Sequence, residues 1–168
     1  EKNVSGDDVN ARPFSRPAEA LEVVPGLIVT QHSGDGKANQ YFLRGFNLDH
    51  GTDLAISVDG MPVNMRTHAH GQGYADLNFL IPELIGSVNI RKGPYFADEG
   101  DFSSVGSVHV GLLDSVNRMM ASITMGSFGY RRILGVTSTK LGEGTLLIAG
   151  EANTYNGPWD NPDELRKY

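Results

Sequence analysis

The chain has 168 residues, enough for one domain with a real core, and a formal net charge of -6 with a pI of about 5.3. That acidic balance argues against nucleic acid as a partner, because phosphate binding needs a clustered basic face; it suits a cation or a basic partner, and equally plain solubility. The absence of cysteine excludes disulfides, thiolate metal sites and cysteine nucleophiles.

No apolar run approaches the roughly 18–20 residues of a membrane helix. Glu1 to Phe14 is polar and without period, so it reads as a flexible leader with no signal peptide. "SRPAEALEVVPGL" predicts a helix, with Ser15 as cap, Pro17 in its first turn, and Ala18, Leu21 and Val24 at helical spacing before Pro25-Gly26 stops it. "LIVTQHS" and "QYFLRGFN" read as strands separated by the polar loop "GDGKAN". In "LAISVDGMPVNM" two β-prone runs flank Asp59-Gly60, which predicts a type I′ hairpin. The loop "HAHGQGY" follows, then a short helical turn in "LIPELI" and strands in "GSVNIRKGP" and "VGSVHVGLL". From about Ser115 the texture changes to three strands of about ten residues, with turns near Gly126-Gly129 and Gly142-Gly144. Their partial alternation fits transmembrane β-barrel strands and an ordinary antiparallel meander alike, and three strands cannot close a barrel by themselves. "NGPWDNPDELRKY" reads as a turn-rich end without a closing element, with Tyr155 and Trp159 placed for a membrane-edge aromatic girdle or for turn packing.

The order "ALEVVPGLIV", "FLRGFN", "ISVDGMPVN", "IPELIGSVNIRKGP" resembles the plug domain of TonB-dependent outer-membrane receptors. The resemblance spans roughly residues 15 to 110, and the long strands after Asp114 are similar to the first strands of the surrounding barrel. It implies an α+β plug domain with a small mixed β-sheet and short helices, followed by the first antiparallel strands of a transmembrane β-barrel. The expected boundaries are a leader at 1–14, the plug at 15–113 and an incomplete barrel at 114–168. The implied protein sits in the outer membrane of a Gram-negative bacterium and takes up a scarce nutrient, such as a metal or metal chelate, with no bond made or broken. Its implied partners are the periplasmic coupling protein TonB, the rest of its own barrel and the extracellular ligand, with no nucleic acid and no required cofactor. The usual Arg-Gly-Pro appears here as Lys92-Gly93-Pro94 with Arg91 one place earlier, and no coupling box is visible in residues 1–14.

The resemblance puts two loops toward the ligand, which makes His32, Asp35, Asn39, Arg66, Gln72 and Tyr74 candidate contacts. His68 and His70, at i and i+2, would share one side of an extended backbone and suit zinc, nickel or copper, although two imidazoles need a third ligand. Structural roles in the loop are the competing reading. Arg44, Arg91 and Lys92 are candidate plug-barrel ion pairs, because a buried arginine needs a carboxylate partner. Glu19, Glu22, Glu83 and "DEGD" read as a solvated face, and His50 and His109 as ordinary surface or core residues.

Two other classes compete with the receptor. A metal-dependent hydrolase would need further ligands, yet no histidine follows His109 and no nucleophile elbow occurs. A soluble β-rich binding or adhesion module would require the last strands to close on themselves as a sandwich.

Overall fold

The structure is a computed structural model that describes residues 1–13, 15–31, 34, 36–48, 51–68 and 71–168. Its contacts divide the chain into two compact units, Glu1–Ser33 with Lys37–Leu112, and Gly34–Gly36 with Leu113–Tyr168.

The first unit is built on a mixed sheet of five strands. Strand β5 (Leu54–Val58) alternates, burying Leu54, Ile56 and Val58, and turns back into β6 (Met61–Pro62). Asp59 and Gly60 both have positive φ, 47° and 78°, as a type I′ turn requires. Strand β10 (Gly106–Leu112) lies parallel to β5, and β9 (Ile85–Lys92) antiparallel to β10, so Val108, Val110, Ile85, Val88 and Ile90 join the same core. The 3₁₀ turn Pro82–Leu84 leads into β9 where a short helical turn is expected.

The first ten residues correct the expected leader. Strand β1 (Lys2–Ser5) pairs antiparallel with β9, Lys2 opposite Ile90 and Ser5 opposite Ser87. Helix α1 (Gly6–Asn10) follows, with the Ser5 hydroxyl accepting from the Asp8 amide at 3.2 Å. Val4 and Val9 are the only apolar anchors in this segment, too few to show a period, and the order comes from main-chain bonds to the β9 edge.

The predicted helix over 15–24 is a 3₁₀ helix, Pro17–Val23, flanked by Arg16 rather than Ser15. Two prolines bound a segment too short to offset α-helix nucleation. The Glu19 carboxylate accepts from the Ser15 amide at 2.7 Å and the Arg16 amide at 3.4 Å, and Glu22 accepts from the Val29 amide at 3.0 Å. Both are therefore structural acceptors rather than a solvated face.

Strands β2 (Leu27–Gln31), β3 (Asn39–Leu43) and β4 (Phe46–Leu48) form a separate antiparallel sheet. The run expected as one strand, "QYFLRGFN", is thus a hairpin, turning at Arg44 and Gly45 with φ of 52° and 85°. Strands β7 (Met65–His68) and β8 (Gly71–Tyr74) make a further hairpin.

In the second unit β11 (Met120–Met125), β12 (Arg131–Leu141), β13 (Gly144–Tyr155) and β14 (Leu165–Lys167) form an open antiparallel sheet in chain order. The chain end, expected without a further element, contributes β14. The β12–β13 turn is tight, at Gly142-Glu143, whereas 126–130 and 156–164 are longer loops at the opposite rim. Registry sorts the side chains cleanly onto two faces. One carries Ile123, Met125, Ile133, Leu141, Leu146 and Ile148, all exposed. The other carries Leu134 and Val136, both buried, and an ion triad of Arg132, Glu151 and Lys167.

Candidate functional site

The β7–β8 hairpin holds the described part of the loop singled out from sequence. Registry sets Met65 opposite Tyr74, Thr67 opposite Gln72 and His68 opposite Gly71. The His68 imidazole lies flat on the Tyr74 ring, with centroids 4.0 Å apart and planes 9° from parallel. The Tyr74 hydroxyl in turn accepts from the Ala38 amide at 3.2 Å, and Asn78 Nδ2 donates to the Lys37 carbonyl at 3.0 Å, so the hairpin is tied to the start of β3. Arg66 extends into solvent and meets Asp101 at 3.0 Å; with side chains 80% and 69% exposed, this pair contributes little stability and leaves the guanidinium available to a ligand.

The other candidates divide. His32, Asp35 and His70 lie outside the described residues, as do the contacts of the Gln72 side chain. Asn39 is buried rather than apical: its Nδ2 donates to Gln31 Oε1 at 3.1 Å while its Oδ1 has no protein partner. Two residues on, and therefore on the same side of β3, Tyr41 is fully buried with an unpaired hydroxyl. Burial pushes that phenol well above its usual range, helped by the charges of Asp76 and Tyr74.

The three basic residues expected to pair with the barrel part company. Arg91 finds its carboxylates within the chain, Nη1 reaching Asp98 and Glu99 each at 2.8 Å and Nε reaching Glu1 at 3.6 Å, with the guanidinium 4.9 Å from the Phe96 ring centre. Arg44, by contrast, stands at a turn tip and shares with Lys92 a groove of about 330 Å³, which Phe46, Pro94 and Tyr95 also line. Among the described residues neither Arg44 nor Lys92 has an ion-pair partner.

A network escaped the sequence reading. Ser57 on β5 and His109 on β10 are register partners, and Ser57 Oγ lies 2.7 Å from His109 Nδ1. The other ring nitrogen meets Glu99 at 2.9 Å, and Glu99, only 5% exposed, joins it to Arg91. Half of "DEGD" is thus a buried clasp fastening loop 93–105 to the sheet. No local signal reveals it, because its members come from four separate segments. Burial alone would raise the Glu99 pKa, but bonds from His109, Ser107 and Arg91 overcome it and hold the carboxyl low; Arg91 chiefly lowers Asp98. A carboxylate lowered in the folded state adds stability above its unfolded value, and this is lost as pH falls through the lowered one. Resistance to urea is therefore expected to be flat above about pH 5 and to fall toward about pH 3. Glu99→Gln should lower the neutral-pH value and flatten that slope, and an unchanged slope in the variant would refute the assignment.

The architecture so far is that of a small mixed-sheet domain followed by strands of an unclosed wall. Residues 2–107 match the family described as the TonB-dependent Receptor Plug Domain, and the chain belongs to that family. Solved structures agree in fold. The siderophore receptor PirA from Acinetobacter baumannii superposes with a TM-score of 0.66 at 21% identity, over 92% of this chain and 24% of that one. The copper transporter OprC gives 0.68 at 19%, over 92% and 23%, and the ferric enterobactin receptor PfeA from Pseudomonas aeruginosa gives 0.66 at 19%, over 92% and 24%. The chain spans about a quarter of the length of these solved receptors.

Proposed function

We propose that this chain is the plug and first wall strands of a receptor in the outer membrane of a Gram-negative bacterium, which takes up a metal chelate with energy supplied by TonB. The observation that carries the reading is the sequence of two dissimilar units, a plug fold and then a sheet whose one face is apolar and exposed while the other holds a buried ion triad. An outer-membrane barrel wall needs that division; a soluble sandwich would turn its apolar face inward. Arg44 and Lys92 are then the residues that reach carboxylates of the remaining wall, whereas Arg91 is engaged by its own loop.

The ligand contacts proposed are Arg66, His68 and Tyr74. A stacked pair of rings beside an exposed guanidinium suits a flat, anionic chelate, and the ligands named for the solved receptors, siderophores and copper, fall within metal uptake. In the intact receptor, His68→Ala/Tyr74→Ala is expected to weaken chelate binding about tenfold, since it removes an aromatic contact worth about 1.4 kcal/mol or more. Radiolabelled uptake by whole cells, with and without TonB, checks both parts. Uptake independent of TonB would overturn the receptor reading, and uptake intact in the variant would overturn the contacts. Titration with zinc, nickel and copper runs alongside; tight binding lost in His68→Ala would instead make the histidines direct metal ligands.

A further inference from the structure

The apolar face of the wall sheet carries charge in one place. Along β11–β14 this face presents Ala121, Ile123 and Met125, then the odd-numbered residues of β12, then the even-numbered residues of β13, then Arg166. Among all of these only Arg131 and Arg166 are charged, and the pairing puts them in one row across the sheet, Met125, Arg131, Thr154, Arg166. Both arginines are exposed, and neither has an ion-pair partner among the described residues. They line a shallow depression of about 290 Å³ with Thr154, Asn156 and Glu164.

The row's height on the wall is informative. From Arg131 to Leu141 strand β12 runs about 34 Å, or about 26 Å of height once tilted as barrel strands are, which is the thickness of an outer-membrane apolar band. The arginines therefore mark one boundary of the band. That boundary adjoins the longer loops, 126–130 and 156–164, and the opposite one the two-residue turn at Gly142-Glu143. Long loops face outward in such barrels and short turns face the periplasm, so the row lies at the outer leaflet.

An arginine at that level meets headgroups, and a guanidinium fork matches a phosphate with two parallel bonds. We propose that Arg131, Thr154 and Arg166 form a site for the phosphate of an outer-leaflet phosphorylated glycolipid, with its acyl chains lying along Ile133, Ile123 and Ile148. Glu164 at the edge of the depression suits the divalent cations that accompany crowded phosphates. This inference rests on the membrane reading above, because only a lipid-facing wall gives the row its ligand.

The test uses the intact receptor extracted from outer membranes in mild detergent, with bound glycolipid counted per receptor by mass spectrometry. Vesicles of phosphatidylcholine doped with bisphosphorylated lipid A, or with the same glycolipid dephosphorylated, supply the lipid; inorganic phosphate is the competitor. The wild type is expected to retain the phosphorylated form and discriminate against the dephosphorylated one. Arg131→Gln/Arg166→Gln should retain roughly tenfold less, at the usual contribution of two basic residues near an anionic surface. Arg131→Lys/Arg166→Lys should keep most of it. Equal retention by the glutamine variant, or no discrimination by the wild type, overturns the site; displacement by millimolar inorganic phosphate overturns its assignment to a lipid. Outer-membrane fractionation of the wild type separates the two levels. A receptor absent from that fraction sinks the membrane reading itself, while a receptor present but indifferent to lipid phosphate sinks only this inference. If the glutamine variant fails to assemble, the two lipid arms on the wild type still decide.

Discussion

Glu151→Ala is expected to destabilise the wall of the intact receptor by about 3–5 kcal/mol, the usual cost of breaking a buried ion pair from one side. The Glu151 side chain is 4% exposed and sits between two cations on flanking strands. Arg132 Nη2 approaches one carboxylate oxygen at 2.6 Å and its Nε approaches the same oxygen at 2.7 Å, while Lys167 takes the other oxygen. Truncation leaves a guanidinium 14% exposed and an ammonium 22% exposed with the charge between them gone. The loss would appear as a lower urea midpoint for the refolded receptor in detergent and as early loss of its heat-resistant band. Arg132→Leu/Glu151→Leu should cost less than Glu151→Ala, since two apolar residues leave no uncompensated arginine. A single variant within about 1 kcal/mol of wild type would show that the triad is solvated in the assembled barrel.

Gly106→Ala should do comparable damage to the plug, about 2–5 kcal/mol from overpacking and backbone strain combined. Gly106 opens β10 with φ of +145°, and an added Cβ would sit 2.4 Å from the Arg91 carbonyl oxygen and 3.3 Å from the Gly93 amide nitrogen. Those atoms belong to the backbone of the neighbouring strand and its continuation, so no side-chain rotation can make room. The strain should spread to the end of β9 and loosen the Arg91 clasp, so Gly106→Ala is expected to lose much of the acid sensitivity that Glu99→Gln removes. Gly60→Ala serves as the control, because its positive φ occurs in open space. Equal stability of both glycine variants would place the cost in the backbone dihedral alone.

The elements legible in the sequence were those that advertise themselves locally. Asp59-Gly60 fixed a hairpin by dihedral requirement, alternation gave β5 and β10, and the turns near 126–129 and 142–144 separated the wall strands where expected. What failed was whatever depended on a distant partner. The leader looked disordered because the β9 edge that orders β1 lies more than eighty residues away. "QYFLRGFN" read as one strand because nothing but Gly45 marks the positive φ at Arg44. At the site, the exposure of Arg66 and the placement of Tyr74 were accessible, whereas Asn39 was misread as apical because a polar residue at a strand start gives no hint of burial. Tyr155, offered for an aromatic girdle, shares the Glu151 face and packs edge-on against Tyr130 at 5.9 Å.

The position of β1 has a mechanical consequence. As the outermost strand of its sheet it is bonded on one side only, to β9, and its first residue contributes one of three carboxylates around Arg91. A tug applied ahead of Glu1 would load that seam end-first, so its bonds would fail one after another, like a zip, and not all together in shear. Asp98 and Glu99 would keep hold of Arg91 after Glu1 lets go, which leaves the inner strands intact while the outer one peels. The peel would run as far as Gly6, seated against the Ile85 carbonyl, where helix α1 presents the next obstacle. The fold thus has a built-in order of yielding, with its weakest seam facing the end from which an energised partner would pull.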